Sequence, residues 1–529
     1  MQTAGTLVRV NAGVRRRRHG LTALAAATLV AGCVAGCATG NGEIDHPPEI
    51  GREIGEDIEI TLARPDDVAG PPASRPGKGL RRSVGFVQAA VLYARSRVVD
   101  PLIRPFSHLK MRSSVVLKSA TGFITRSTIG TVQFPALESR PVPPVAARPG
   151  MDLEAWEDDL DRIVGQSSRT RGSIEFLVDG EEYFTRLLEA VEGAERSIDI
   201  RTYIFDNDDF AVEVADLLRR KSDDVEVRVL LDGIGELLAL QIDSETMPAT
   251  HAVPLSMPMY LRNESKVKVR TRPNPWFTGD HTKTTIIDEK IAFAGGMNVG
   301  REYRYDWHDL MMELRGPIVD ILDYESDKAW VHTSPLGDLG LLTRTLMGRI
   351  DRADDEGVPL RVLYTRDFDS EIYRAQLEAI RNARRYILIE NAYFSDDLTL
   401  YELAKARRRG VDVHVILPEE GNHGAMNRSN RLAINRMLAN GIRVYQYPGM
   451  SHVKAAIYDG WACAGSANLD KLSMQINKEL NIATSDPDTV DKLLRQVFIP
   501  DLRVSREVTV PVETDWTESL AEFAADELL

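Results

Sequence analysis

Cysteine is almost missing from this chain: three in 529 residues, with Cys33 and Cys37 near the start and Cys463 alone in an apolar stretch. That scarcity excludes a disulfide framework, and no His/Cys cluster has the spacing of a zinc site. The residues therefore call for no metal and no cofactor. Positive charge is also in deficit. A formal charge of −14 argues against nonspecific nucleic-acid binding, whose grip on a phosphate backbone comes from a basic groove. Beyond residue 38 no apolar run approaches the ~20 residues needed to cross a bilayer.

What the first residues do contain is a leader. Arg15-Arg16-Arg17-Arg18 precedes an Ala/Leu/Val-rich stretch from Leu21 that ends in Val30-Ala31-Gly32-Cys33, the pattern of a lipoprotein signal peptide over residues 1–33 with its lipobox. Cys33 is the expected lipidation site; Val34-Ala35-Gly36-Cys37 offers a second cleavage point. An uncleaved anchor over Leu21 to Ala38 and twin-arginine export are the alternatives. The leader points to a bacterial cell envelope, with a lipid-anchored, periplasm-facing protein. Val34, where aspartate would signal inner-membrane retention, favours the outer membrane.

One pattern occurs twice. His281-Thr-Lys283 followed by Asp288 matches His452-Val-Lys454 followed by Asp459, and each copy leads into a small-residue turn ending in asparagine, Gly295-Gly296-Met297-Asn298 and Gly465-Ser466-Ala467-Asn468. Repetition of both motif and turn leaves no room for coincidence. Metal-free phosphodiester exchange needs such a pair, because one neutral imidazole attacks phosphorus while a second, protonated one delivers a proton to the leaving alkoxide. Period-two spacing puts each lysine on the same side of an extended strand as its histidine, so that Lys283 and Lys454 meet one phosphate. Asn298 and Asn468 are candidate amide donors to its oxygens. Asp288 and Asp459 complete the catalytic motifs and are expected to hold backbone or a lysine rather than substrate.

These residues resemble the phospholipase D superfamily, whose signature is a twin HxKxxxxD with a following Gly-Ser/Gly-x-Asn turn. The resemblance spans about residues 170 to 505, and the halves also match outside the motifs, Leu188–Phe205 paralleling Leu377–Phe394. It implies an α/β fold of two pseudo-symmetric phospholipase D-like α/β/α lobes, 170–345 and 355–505, packed around one shared active site, so that one chain can supply a complete site. By the same likeness each histidine has a carboxylate well downstream. Asp309 lies 28 residues after His281 and Glu479 lies 27 after His452, which makes them the expected ring-orienting acceptors.

Within the superfamily the chain is most similar to bacterial cardiolipin synthases, in Tyr203-Ile204-Phe205, Val227–Gly235, the Gly-Gly-Met-Asn turn and Trp307-His308-Asp309. The resemblance implies a phosphatidyltransferase. His281 would be the nucleophile and His452 the acid, acting on phosphatidylglycerol, with phosphatidylethanolamine as a further candidate. Hydrolysis by a phospholipase D is the alternative, then nucleic-acid cleavage.

Residues 34–73 read as an acidic, Pro-rich tether. In 74–150, ten lysines and arginines between Arg75 and Lys118 face a single acid, Asp100, before a Pro-rich joint at 141–149. Interleaved apolar residues fit either an anionic membrane surface or a helical subdomain packed on the core. Trp276-Phe277 are placed to seat the site at a lipid interface or to pack beneath it, and Leu237 to Lys266 is expected to loop over the cleft. Residues 506–529 read as an acidic tail, with a solvated helix from Glu513.

Overall fold

The computed structural model describes residues 87–240, 243–274, 278–349 and 357–514. The leader with Cys33 and Cys37, the tether, Trp276-Phe277 and the tail beyond 514 lie outside the described residues.

The first half of the catalytic region contributes β1 (Arg169–Val178), β2 (Ser197–Thr202), β3 (Glu226–Asp232), β4 (Lys268–Arg272), β5 (Thr284–Ile287), β6 (Ile291–Gly295) and β7 (Leu310–Arg315). The second contributes β8 (Val358–Arg366), β9 (Asp369–Ser370), β10 (Tyr386–Asn391), β11 (Asp412–Pro418), β12 (Arg443–Tyr447), β13 (Lys454–Tyr458), β14 (Trp461–Gly465), β15 (Glu479–Thr484) and β16 (Arg506–Val508). They join into one sixteen-stranded sheet of order β16-β12-β11-β10-β13-β14-β15-β8-β1-β7-β6-β5-β2-β3-β4, with β9 paired to β8. Read outward from the β8/β1 seam, the order matches strand for strand as far as β12 and β4, beyond which the second half adds β16. The repeat legible in the sequence is therefore a structural two-fold.

At the seam, Arg169 to Gly172 pair antiparallel with Arg361 to Val358. A Cβ at Gly172 would overlap the Arg315 carbonyl, so the approach of β7 to this strand requires glycine. In each half two parallel pairings, β2-β3-β4 and β10-β11-β12, are centred on a strand, β3 or β11, that is largely apolar and buried on both faces. Helices cover them. Asp179–Glu192 buries Tyr183, Phe184, Leu187 and Val191, and its counterpart Glu371–Asn382 buries Ile372, Ala375, Ala379 and Ile380, the spacing of one helical face. The next helices are capped alike, by Asp208 on Ala211 N and by Asp396 on Thr399 N. One apolar layer serves each half, and a third, on the other face, joins Phe176, Leu314 and Ile318 to Val362, Leu480 and Phe498 across the seam.

The expected α/β/α architecture is thus present, but the segments around it differ from expectation. The Pro-rich joint packs on the second lobe: Ala146 N donates to Gly410 O at 2.8 Å and Arg407 to Pro143 O at 2.8 Å. Helix Leu153–Val164 sets Trp156 edge-on to Trp461, so residues that precede the first lobe in sequence complete the core of the second. Residues 506–508 of the supposed tail form β16 on β12. The expected cleft loop begins in the end of one short helix, Gly233–Ala239, and contains a second, Met257–Arg262, which buries Met257 and Leu261 in the first-lobe core.

Candidate active site

His281 and Lys283 lead into β5, His452 leads into β13, and Lys454 is its first residue. Ahead of each strand, a backbone bridge crosses to the other half, Asp280 to Lys478 and Ser451 to His308. His281 N donates to Lys478 O at 2.9 Å, and His452 N to His308 O at 2.6 Å. The residue after each bridging partner is the other half's carboxylate.

This crossing corrects the pairing expected from spacing. His281 Nδ1 meets Glu479 Oε2 at 3.0 Å, and His452 Nδ1 meets Asp309 Oδ2 at 2.6 Å, so neither ring uses the acid downstream in its own half. Spacing measures chain, whereas the two-fold exchanges partners. With Nδ1–H held by a carboxylate, Nε2 is the free basic nitrogen of each ring. Glu479 is itself fixed by Ser466 Oγ at 2.6 Å, while the shorter Asp309 occupies the space at Gly296, where a Cβ would overlap its carboxylate.

Both lysines are buried beside their histidines. Lys283 Nζ donates to His281 O at 2.8 Å and Lys454 Nζ to His452 O at 2.6 Å. Burial lowers their pKa values, to about 7 for Lys283 and about 8 for Lys454, although Glu479 and Asp309 act to raise both. Burial also lowers the His281 pKa, and takes that of His452 to about 4 with the Lys454 ammonium adding to the effect and Asp309 opposing it. Both rings therefore rest neutral.

The asparagines are not equivalent. Asn298 Oδ1 accepts from Ile204 N at 3.0 Å and its Nδ2 donates to the Tyr303 hydroxyl at 2.7 Å, so this amide mainly ties the turn to the end of β2 rather than standing open to a phosphate. In the second half that tie is made by Asn391, which accepts from Leu469 N, and Asn468 Oδ1 is buried without a partner. Asp288 and Asp459 stand away from the rings. Asp288 accepts from the backbone N–H groups of Glu195, Arg196 and Ser197, and Asp459 from those of Arg384, Arg385 and Tyr386, fastening the turn after each motif strand to the start of β2 or β10. Their grouping with the catalytic residues gives way to a structural role. Cys463 is a buried free thiol in the core.

Several site residues carried no assigned role in the sequence. Tyr203 lies edge-on to His281 with centroids 5.0 Å apart, and Trp307 and Tyr303 flank His452 at 5.4 and 5.6 Å. Behind His281, the carboxylate of Asp280 binds Arg201 at 2.7 Å and Arg272 at 2.6 Å, which hold its pKa well down against burial. Behind His452, Ser451 Oγ donates to Glu390, and His308 spans Asp179 at 2.6 Å and Asp501 at 3.1 Å. The signal for this layer was adjacency, since Asp280, Ser451, His308 and Lys478 each directly precede a residue singled out above.

His308, Glu390 and Asp501 bring possible ligand atoms within 4.8 Å of one another. Both nitrogens of the His308 ring are already engaged there, by Asp179 and Asp501. Burial works against the ring's proton, but Asp179 and Asp501 outweigh it and raise the His308 pKa to about 11. A neutral, metal-ligating ring does not fit there.

Comparison with known proteins agrees with this geometry. Residues 187–330 and 376–499 match the family model described as "Cardiolipin synthase, PLD-like domain". The chain is 30% identical over 378 residues to cardiolipin synthase B of Escherichia coli (strain K12), covering 68% of this chain and 88% of that one. Cardiolipin synthase A of Pseudomonas putida is 28% identical over 363 residues, covering 65% and 70%. The crystal structure of phosphatidylserine synthase from Haemophilus influenzae Rd KW20 shares the fold, with a TM-score of 0.55 at 14% identity over 71% of this chain and 99% of that chain.

Proposed function

This chain belongs to the phospholipase D-like family of the cardiolipin synthases, and from that premise we propose that it is a phosphatidyltransferase that builds cardiolipin through a phosphohistidine. The observation that carries this reading is the pair of crossed imidazole–carboxylate couples. Each half supplies one ring and the acid that orients the other, so the two histidines act on one phosphorus.

In the first step His281 Nε2 attacks the phosphodiester phosphorus of phosphatidylglycerol. The N–P bond forms, the P–O bond to the headgroup glycerol breaks, and His452 gives its proton to the departing alkoxide. His452 rests neutral, so it takes up that proton as the anionic phosphodiester enters and offsets the lysine charge. Lys283 and Lys454 neutralise the non-bridging oxygens. In the second step His452 deprotonates a hydroxyl of a second phosphatidylglycerol, which attacks phosphorus and releases His281.

The reading is tested by product analysis of the purified full chain in vesicles with labelled phosphatidylglycerol, with and without phosphatidylethanolamine. Labelled cardiolipin that is absent with His281→Ala is the expected result. Phosphatidic acid alone would make the protein a hydrolase. We also place the protein at the bacterial cell envelope, anchored through Cys33 and facing the periplasm from the outer membrane. Incorporation of labelled fatty acid, lost in Cys33→Ala and kept in Cys37→Ala, tests the anchor.

A further inference from the structure

Apart from the chemistry, the least expected feature of the molecule is how much apolar surface two of its helices leave uncovered. Helix Pro105–Thr128 exposes Phe106, Leu109, Val116, Leu117, Phe123 and Ile124, with Phe106 80% and Ile124 64% exposed. Ser113 and Ala120, also exposed, fill the gaps in the same 3.6-residue period. Helix Gly337–Met347 does likewise with Leu339, Leu342, Leu346 and Met347, the last two 77% and 75% exposed. Scattered surface leucines need no explanation; two periodic stripes do.

The stripes meet at one joint. Asp338 accepts from the backbone N–H groups of both Phe106 and Ser107, at 2.8 and 3.2 Å, and Arg104 donates to His332 O at 2.6 Å while pairing with the buried Asp100. Leu102, Phe106, Leu336 and Leu339, all more than 60% exposed, surround that joint. The opposite face of the longer helix is anchored on the catalytic loops. Met111 is buried with its sulfur 3.6 Å from the Thr278 hydroxyl, three residues before His281, and Lys118 Nζ donates to Gln475 O, close before Glu479.

We propose that these two helices form a membrane-docking face that lies in the headgroup layer of an anionic phospholipid bilayer and brings the loop carrying His281 to the lipid phosphates. The occupant is a bilayer because the apolar stripe is set among positive charge. Arg95, Arg97, Lys110 and Arg112 flank it, and in the sequence Arg75, Lys78, Arg81 and Arg82 precede it, in a chain that is otherwise strongly acidic. The longer helix lies on the membrane and does not cross it. Its 24 residues reach far enough, but no described helix is apolar enough to span. This inference rests on the lipid-transferase reading and adds the surface through which the substrate arrives.

The test uses the full chain with an environment-sensitive fluorophore on Phe106→Cys or Leu342→Cys, and on Glu192→Cys at the far end of β2 from the histidines as control. Vesicles containing phosphatidylglycerol are expected to shift emission to the blue at positions 106 and 342 and not at 192, with a smaller shift for vesicles of phosphatidylcholine alone. The paired variant Leu109→Ser/Leu346→Ser is expected to lose about tenfold or more of its turnover of vesicle lipid and to keep its turnover of a short-chain, monomeric phosphatidylglycerol. Labels silent toward vesicles, or already blue-shifted without them because a second copy covers the face, would overturn the proposal. A wild-type protein that turns over neither substrate while its labels still shift would overturn the transferase reading and leave the docking face standing.

Discussion

Behind two fronts built from the same motif, the halves of this site are backed by different chemistry. Arg201 and Glu390 occupy the same place, next to last in β2 and β10, yet one half closes with two guanidiniums on Asp280 and the other with a charged His308 among carboxylates. Both arrangements sit immediately behind a histidine strand and beside a bridge to the opposite half. The front has to present matched rings and lysines to one phosphate, so duplication preserves it. A buried clasp only has to be electrically satisfied, and arginine–aspartate or imidazolium–carboxylate pairs do that equally well. The Asp280 carboxyl is held well down and the His308 pKa lies at about 11, whereas burial raises the Glu390 carboxyl well above the usual range.

The sharpest way to break this symmetry is through the crossed carboxylates. Asp309→Asn and Glu479→Gln are each expected to lower kcat by up to about 10⁴-fold, the loss seen on replacing the acid that fixes a catalytic imidazole. With nitrogen-labelled histidine, the downfield Nδ1–H resonance of His452 should vanish in Asp309→Asn and survive in Glu479→Gln, and that of His281 should do the reverse. Retention of the His452 signal in Asp309→Asn would mean pairing within each half.

A smaller effect should come from exchanging the residues that support those acids. Gly296→Ser gives the first half the second half's turn, but its side chain would overlap Asp309, at a cost of about 1–3 kcal/mol in thermal or denaturant unfolding. Ser466→Gly removes one hydrogen bond to Glu479 and should cost about 1 kcal/mol, seen as a drop in kcat with little change in fold. Equal effects of the two would show that the halves support their acids in the same way.

The mildest perturbation is pH. His281 must be neutral to attack, and its pKa is lowered from the usual histidine value of ~6.5, so the acid limb of kcat/KM should fall below about pH 6.5. The lysines must be charged to hold phosphate. Their pKa values of about 7 and 8 place the alkaline fall in that range, and Lys283→Arg should move it upward while lowering the maximum. An alkaline limb near the ordinary lysine value would mean that the ammonium groups are not buried as described.

The twin lobes and the front of the site were legible in the sequence because they are written twice: the motif, its turn and the helix–strand order each confirm themselves in the second copy. The crossing of Asp309 and Glu479 was not legible, because distance along the chain cannot report an exchange across a two-fold. Nor was the clasp layer, where Arg201 and Glu390 share a position and no chemistry. The packing of the Pro-rich joint was hidden for a related reason. Proline marks extended backbone, and only the partners Gly410 and Arg407, far along the chain, show that this segment is packed.

The most direct test of the account is where the phosphate goes. His452→Ala incubated with phosphatidylglycerol labelled at phosphorus, quenched in base and digested, should carry label on the peptide containing His281, formed more slowly than in wild type because the departing alkoxide must then take its proton from water, and retained longer because the second step has lost its base. In wild type the label should be transient and on the same peptide. Label recovered on His452 in a His281→Ala variant, with none on His281, would contradict the account by reversing the roles of the two halves.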